Sequence, residues 1–255
     1  MIITSENYFS PEADLTYMGS TQFKRFLECP TRALAMLRGE WKEEETTALL
    51  VGSYVDAHFS GTLDLFKAQH PDIFKKDGQL KADYEHANYI IARIERDEMF
   101  MRYLSGGAQD ILTGDIEGVP FKIKIDSYHK GRALVDLKVI KDFEPVWDDR
   151  QRRKVPFVEY WGYDIQAAIY QAVEGHQLPF MIAAATKEKP EPDIAIISIP
   201  QERIDYCLEM VRQYAPVFQA MKQGKAEPVR CEHCDYCKAT KVLKEIVDYK
   251  ELTAC

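Results

Sequence analysis

The chain has 255 residues, of which 46% are hydrophobic and 11% aromatic, and a net charge of −8. These values are typical of a globular protein, and the negative charge argues against a generally basic protein that coats nucleic acid. No apolar run approaches the ~18–20 residues that span a bilayer. The N-terminal segment also lacks the basic start and apolar stretch of a signal peptide. We therefore expect no membrane partner and a cytoplasmic location.

The first part of the chain has the apolar spacing of helices. Residues 20–38 show helical periodicity, which Pro30 is expected to interrupt. Residues 46–66 and 83–104 predict two further helices. We treat residues 1–105 as a helical N-terminal part.

Three consecutive strands are predicted next, because short apolar segments alternate with turn glycines. They span residues 108–118, 119–128 and 132–140, with turns at Gly118 and Gly131. After a polar loop, the pattern returns to that of a helix.

The remaining elements are a helix over 158–175, strands over 179–188 and 193–200, and a long helix over 202–225 in which Pro216 predicts a kink. A strand meander followed by a helical crossover predicts an α/β (α+β mixed) fold, a mixed sheet with helices on its faces.

The length fits one elaborated domain over residues 1–255. We expect the helical N-terminal part to precede a core over 106–200. Residues 201–255 then supply the C-terminal helix and a cysteine tail.

The stretch KIKIDSYHKGRALVDLK places charges inside a predicted hairpin. Strand alternation lets Asp126, Asp136 and Lys138 converge on one spot if the two strands pair. Two close carboxylates repel unless a divalent cation neutralises them, and oxygen ligands suit Mg²⁺ or Mn²⁺. A short D-x-K pattern on its own is more often an ion pair on a solvated sheet face.

Two other stretches add polar residues in order along the chain. In YWGYDIQAAIYQ, Gln166 and Tyr170 are four residues apart and share a helix face. In LLVGSYVDAHF, Asp56 comes four residues after Gly52, and His58 follows two residues later. Each pattern alone also fits an ordinary helix.

The ordered set resembles the PD-(D/E)XK nucleases of the RecB and RecE type, and most of all the phage and prophage exonuclease VIII-like (RecE-like) nuclease domains. The resemblance covers about residues 20–237. It implies a restriction-endonuclease-like αβββαβ core and a deoxyribonuclease that depends on Mg²⁺ or Mn²⁺.

The resemblance also implies roles for individual residues. Asp126 and Asp136 would be metal ligands, Lys138 the catalytic lysine, and Gln166 with Tyr170 a DNA-contacting and site-organising pair.

The first metal ligand departs from the family pattern. Many relatives have histidine where Asp56 stands. We expect Asp56 to bind the metal, since a carboxylate suits hard ions, and His58 to be structural.

The activity implied by the resemblance is a DNA exonuclease acting from the ends of double-stranded DNA in phage-type recombination or repair. It would leave a 3′ single strand for a single-strand annealing protein, and ring-forming relatives make a homo-oligomer an open possibility. Two alternatives remain: a structure-specific or restriction-like endonuclease, and a non-catalytic DNA-binding recombination accessory protein.

Six cysteines are present: Cys29, Cys207, Cys231, Cys234, Cys237 and Cys255. Three of them lie in CEHCDYC, a spacing typical of a metal site. The resemblance implies a [4Fe–4S] cluster held by Cys29, Cys231, Cys234 and Cys237.

Other interpretations of these cysteines remain open. Zinc could bind three thiols with Cys29 or His233, or the thiols could be metal-free. Cys207 is expected in the core and Cys255 in the tail.

A basic run in DDRQRRKVP contains Arg150, Arg152, Arg153 and Lys154. We interpret it as a solvated loop, although a local basic patch is compatible with a nucleic-acid enzyme.

Overall fold

A mixed five-stranded sheet lies at the centre of the computed structural model, which describes residues 1–149, 151–243 and 245–248. Its strands are β1 (Gly107–Ile116), β2 (Val119–His129), β3 (Ala133–Ile140), β6 (Phe180–Thr186) and β7 (Ile194–Ser198). Their order is β1-β2-β3-β6-β7. Only the β3–β6 pair is parallel, and the other three neighbouring pairs are antiparallel. The predicted mixed α/β fold is confirmed.

A second, two-stranded sheet is formed by β4 (Val146–Asp148) and β5 (Arg153–Val155). It lies where the sequence predicted only a polar loop. Each strand has three residues, which is too short for an alternating apolar pattern to appear. Arg150, part of the basic run, lies outside the described residues.

Helices cover both faces of the central sheet. They are α1 (Pro11–Thr16), α2 (Ser20–Glu28), α3 (Pro30–Leu37), α4 (Thr47–Phe59), α5 (Leu63–Gln69), α6 (Ala82–Glu95), α7 (Glu98–Tyr103), α8 (Phe157–Tyr160), α9 (Tyr163–Glu174), α10 (Gln201–Lys222) and α11 (Asp235–Ala239), with a 3₁₀ turn at Pro71–Ile73. None of the helices in the described ranges is long and apolar enough to cross a membrane.

Strand alternation divides the core into two clusters. Val135 and Leu137 of β3 pack with α4 and α6, whereas Leu134 packs with α9 and α10. Strand β6 repeats this pattern, with Ala183 facing the first cluster and Ile182 the second. Successive strand side chains point to opposite faces, so the apolar β3 and β6 are buried on both. The sheet therefore separates α4 from α9.

Turn residues set several boundaries as predicted. Glu117 and Gly118 both have positive φ, which suits the two-residue turn between β1 and β2. Gly131 likewise has φ +70° after β2. Pro30 begins α3 directly after Cys29, so the predicted interruption is confirmed. Pro216 lies inside α10, which continues through it as one helix.

Three predicted helices are each divided in two, and here the sequence prediction was wrong. Residues 46–66 break between α4 and α5, where Gly61 has φ +73°. The predicted helix over 83–104 breaks at Asp97, whose side chain accepts a hydrogen bond from the Phe100 N–H and caps the start of α7. The helix over 158–175 breaks at Gly162, with φ +62°.

Candidate active site

Two aspartates lie where the pairing of β2 and β3 stops. The ladder ends at Ser127 opposite Val135, and the next residue on each strand is Asp126 and Asp136. An Asp126 carboxylate oxygen accepts the Leu137 N–H at 2.9 Å, so this side chain takes the place of a backbone partner. The hairpin thus brings both carboxylates to the point where the strands separate.

Asp136 is the most enclosed of the site carboxylates, with 2% of its surface exposed. Its Oδ1 accepts from Gln166 Nε2 at 2.6 Å, and the Lys138 ammonium lies against its Oδ2. Within the described ranges, Oδ2 has no hydrogen bond of good geometry. One oxygen is therefore fixed by the protein, and the other has capacity for a further ligand.

Asp56 reaches the same cleft from α4 on the other side of the sheet. Burial, and then the charge of Asp136, raise its pKa. The same two causes raise the pKa of Asp126 to about 8. The three carboxylates thus repel one another in a buried place, a penalty that a bound cation would remove.

His58 points away from these carboxylates. Its Nε2 lies 2.8 Å from Glu95 Oε1 on α6. The structure therefore places Asp56 in the cleft and His58 outside it, and the role of Asp56 as a metal ligand stays a prediction.

Lys138 is held as a cation by its neighbours. Burial lowers its pKa, but Asp136 and Asp126 outweigh burial and hold the pKa above its ordinary value. Its ammonium also lies 5.4 Å from the centre of the Tyr163 ring. Lys138 is thus placed to donate hydrogen bonds rather than to accept a proton.

Gln166 and Tyr170 lie on one face of α9, as their spacing predicts. The Tyr170 hydroxyl donates to the Lys124 carbonyl on β2 at 2.8 Å, and its ring packs edge-on against Phe180. Both polar groups therefore bond to protein atoms, an arrangement that positions the site. A DNA contact for either residue stays a prediction.

The sequence did not identify Lys24 or Tyr163 as part of the site. Lys24 Nζ donates to the Trp161 carbonyl at 3.0 Å and lies 5.6 Å from the Tyr163 ring centre. Burial, and then the Lys138 charge, lower the pKa of Lys24 to about 8. Tyr163 precedes Gln166 by three residues, so helical spacing could have placed it on that face. Lys24 has no comparable signal, because its helix comes from a distant part of the chain.

The three carboxylates, Lys138 and the other site side chains described above line one cleft with a volume of about 2050 Å³. Small-molecule sites occupy roughly 300–1,000 Å³. The cleft is therefore larger than a typical small-molecule site.

The four predicted cysteines form a second site away from the cleft carboxylates. Cys29 lies between α2 and α3, Cys231 and Cys234 precede α11, and Cys237 lies within it. The ligand atoms of Cys29, Cys231, Cys234 and Cys237 all lie within 4.8 Å of one another. The Sγ atoms of Cys29 and Cys237 are 3.6 Å apart, and those of Cys231 and Cys237 are 3.9 Å apart.

Backbone N–H groups surround these sulfurs. The Cys234 N–H donates to Cys231 Sγ, and the Cys237 N–H donates to Cys234 Sγ. Although burial raises it, N–H donors from His233 and Cys234 lower the pKa of Cys231 to about 6. His233 itself is exposed, with its Nδ1 2.6 Å from the Cys231 carbonyl oxygen. Cys29 therefore completes the set of four, and His233 does not.

The remaining cysteines are separate from this cluster. Cys207 is buried in the core on α10, as expected. Cys255 lies outside the described residues.

Comparison with known proteins shows two informative likenesses. Residues 19–240 match the family model described as a PDDEXK-like domain of unknown function (DUF3799). The crystal structure of a "Putative exonuclease" from Eubacterium rectale shares 46% identity, covering 100% of this chain and 99% of that one, with a TM-score of 0.93.

Other comparisons add nothing further. The structure of SSO0001 is 12% identical over 84% of this chain and 93% of that one, and its TM-score of 0.30 carries no argument. No curated protein matches. The match to the family model covers most of the sequence and supports a nuclease. The chain therefore belongs to the PDDEXK-like family of unknown function, within the PD-(D/E)XK nuclease superfamily.

Proposed function

We propose that this protein is a metal-dependent DNA exonuclease that hydrolyses phosphodiester bonds of double-stranded DNA from an end. The observation that carries the proposal is the meeting of Asp56, Asp126, Asp136 and Lys138 in one large cleft. The family assignment and the name of the Eubacterium rectale protein support it.

The donor set fits a hard divalent cation. Asp56, Asp126 and Asp136 offer carboxylate oxygens, which Mg²⁺ and Mn²⁺ prefer. The Lys138 ammonium is the one charged partner described at the buried Oδ2 of Asp136, so a cation that binds this oxygen would share it with Lys138. We therefore expect these three residues to hold Mg²⁺ or Mn²⁺.

The bound cation would act as a Lewis acid that activates water and stabilises the leaving oxygen. Lys138 would place its ammonium beside the phosphate and stabilise negative charge there. The water oxygen bonds to phosphorus, the P–O3′ bond breaks, and a proton from the water is released as the 3′-oxygen takes one up. The products carry a 5′-phosphate and a 3′-hydroxyl. Gln166 keeps Asp136 oriented throughout.

The test compares linear with covalently closed circular duplex DNA in Mg²⁺ or Mn²⁺. We expect the wild type to degrade only the linear form. Asp136→Ala and Lys138→Ala should be inactive on it, whereas Asp64→Asn, an exposed change on α5, should behave like wild type. Rapid cutting of closed circles would favour the endonuclease alternative.

The non-catalytic alternative has its own outcome. A wild-type protein that degrades no DNA, or an Asp136→Ala variant as active as wild type, would contradict the proposed site. The complete carboxylate and lysine set argues for catalysis over DNA binding alone.

For the cysteine site, the distances favour zinc over the iron–sulfur cluster that the resemblance implied. Four sulfurs ~2.3 Å from one tetrahedral zinc lie ~3.8 Å apart. Cys237 Sγ lies 3.6 Å from Cys29 Sγ and 3.9 Å from Cys231 Sγ, and all four sulfurs lie within 4.8 Å of one another. Each thiolate of a four-iron cluster binds a different iron, which spreads the sulfurs further. We expect a colourless protein with one zinc per chain by elemental analysis. Brown protein that contains iron would instead support the [4Fe–4S] interpretation.

The finer biological setting rests on the resemblance. We propose that the enzyme works in the cytoplasm in phage-type recombination or repair and passes its 3′ single strand to an annealing protein. A homo-oligomer is part of that proposal. End-labelled duplex substrates test the polarity, and light scattering tests the assembly.

A further inference from the structure

The chain has three tryptophans, and all of them line the active-site cleft: Trp41, Trp147 and Trp161. Trp41 packs edge-on against Tyr236, with ring centres 5.4 Å apart. Trp161 packs edge-on against Tyr160, with ring centres 4.8 Å apart. Even so, Trp147 and Trp161 are about half exposed, at 53% and 52%. Single exposed aromatic residues are ordinary. Two indoles on the wall of the same cleft need an explanation that their packing does not give.

Trp161 lies within a short chain of contacts from the carboxylates. Its carbonyl oxygen accepts a hydrogen bond from the Lys24 ammonium. The ammonium groups of Lys24 and Lys138 both lie against the Tyr163 ring. Lys138 in turn lies against Asp136. Trp161 also ends the corner between α8 and α9, before Gly162 in its left-handed conformation. The indole is therefore held at the rim of the site by an ordered turn.

Trp147 is held on the β4–β5 hairpin. It is directly opposite Lys154 in the register, and both residues line the cleft. The indole N–H donates to Asp149 Oδ1 at 2.9 Å, which limits rotation of the ring. The basic run that the sequence predicted as a solvated loop thus places a cation beside an aromatic ring on the cleft wall.

The cleft lining combines exposed aromatic rings with a small excess of cations. Ten basic and eight acidic side chains line it, although the whole chain carries −8. Lysines beside aromatic rings are the combination that binds single strands, since cations follow the backbone while bases stack on the rings. Paired bases inside a duplex do not offer their faces.

We propose that Trp147 and Trp161 stack on the bases of an unpaired DNA strand in the cleft, with Lys154 on its phosphates. This inference rests on the proposed nuclease function and narrows its substrate: the strand that reaches the carboxylates is single-stranded, even when the DNA that is bound is a duplex end.

The test measures binding without turnover, in an Asp136→Asn background. A short oligodeoxyadenylate is compared with an abasic oligonucleotide of equal length, which has the same charge but no bases. We expect the adenylate to quench the intrinsic tryptophan fluorescence and to bind at least about tenfold more tightly. Every tryptophan lies in the cleft, so the signal reports on this surface alone.

Substitutions assign the effect to the two rings. Trp147→Ala and Trp161→Ala should each remove most of the adenylate preference, Trp147→Phe and Trp161→Phe should retain it, and circular dichroism should show all four folded. Tyr89→Ala is the matched control, because Tyr89 is an exposed aromatic residue on α6 that does not line the cleft. This variant should keep the wild-type preference for the adenylate over the abasic strand.

Two outcomes separate this inference from the function on which it rests. Equal affinity for adenylate and abasic strands, in a protein whose wild type hydrolyses DNA, would overturn stacking and leave the nuclease intact. A wild type that neither binds nor hydrolyses DNA would overturn both.

Discussion

At the scale of single residues, Asp136 is the side chain on which the site depends most. It is buried, its Oδ1 is fixed by Gln166, and its Oδ2 lies against Lys138. Asp126 and Asp56 add two further carboxyl groups, both with raised pKa values, within the same cleft. Without a cation, attraction to Lys138 and repulsion among the carboxylates oppose each other.

This balance predicts that Asp126→Asn stabilises the metal-free protein. At neutral pH a carboxyl group whose pKa is raised to about 8 costs stability whether it ionises beside Asp136 or takes up a proton. Asparagine removes that cost, and its side-chain oxygen can still accept the Leu137 N–H. We expect a gain of about 1–2 kcal/mol in the free energy of unfolding. Urea denaturation in EDTA measures it.

The same variant should lose its response to metal. In the wild type, Mg²⁺ or Mn²⁺ at a hundred times its Kd should stabilise the fold by about 2.7 kcal/mol. A metal-free Asp126→Asn variant that is less stable than wild type, or one that responds to metal as wild type does, would contradict the ligand assignment.

Gln166 is predicted to act as a positioning residue through Asp136. Gln166→Ala leaves Oδ1 of a buried carboxylate without its amide donor, so we expect a loss of about 1–3 kcal/mol in stability. Because the carboxylate is no longer oriented, the metal concentration needed for half-maximal thermal stabilisation should rise several-fold.

Gln171→Ala is the matched control for Gln166→Ala. It removes another buried amide of α9, which donates to the Leu178 carbonyl and does not line the cleft. It should cost about 1–3 kcal/mol in stability with the metal requirement unchanged. An equal rise of this metal concentration in both variants would indicate a merely structural role for Gln166.

At the scale of elements, the cysteines connect parts of the chain that are far apart in sequence. Cys29 is at once the end of α2, the N-cap of α3 and the neighbour of Cys237 on α11. A short helix such as α11 has little core of its own, with Cys237 its buried residue. A metal on these thiols would therefore attach the C-terminal segment to the first helices.

Cys29→Ser is accordingly predicted to release α11. We expect loss of bound metal and early cleavage near α11 in limited proteolysis, and chelation of the wild type should give the same pattern. Cys207→Ala, at a buried thiol outside the cluster, is the control and should keep its metal. Unchanged proteolysis in Cys29→Ser would contradict the proposed connection.

Element boundaries show which parts of the fold the sequence could predict. The β1–β2–β3 meander was predicted because its turns need Gly118 and Gly131, and those glycines are visible in the sequence. The breaks at Asp97 and Gly162 were missed because the apolar periodicity continues across them. Only the capping bond at Asp97 and the left-handed Gly162 end the helices there.

For the site, motif order predicted the residues that the core itself contributes. Asp126, Asp136, Gln166 and Tyr170 lie together as the spacing implied. Lys24 was missed because its position depends on how α2 packs against α9, a tertiary contact without a local pattern. The tryptophans were missed for the same reason, since Trp147 joins Trp161 in the cleft lining only once β4–β5 has formed.

At the scale of the whole molecule, the sheet brings opposite layers to one cleft. Helix α4 supplies Asp56 from one face, and α9 supplies Gln166 from the other. The N-terminal segment closes a third side, where Lys222 of α10 donates to the carbonyls of Asp14 and Tyr17. Buried Lys122 also forms an ion pair with Asp14. The cleft lining runs from Tyr8 to Lys187, so a fragment that lacks part of this range would not retain it.

The charge distribution leads to a final prediction about DNA binding. A chain of net charge −8 repels DNA at long range, so affinity must come from the few cations in the cleft. Each lysine on a phosphate of a single strand adds about 0.7 to the slope of log affinity against log salt concentration.

Lys154→Met should therefore lower that slope by about 0.7 and lower the affinity for oligonucleotides of any sequence alike. Lys130→Met, at the exposed turn after β2, should leave the slope unchanged. Fluorescence anisotropy in the Asp136→Asn background across a salt series measures both. Equal slopes for the two variants would mean that the hairpin does not contact the DNA backbone.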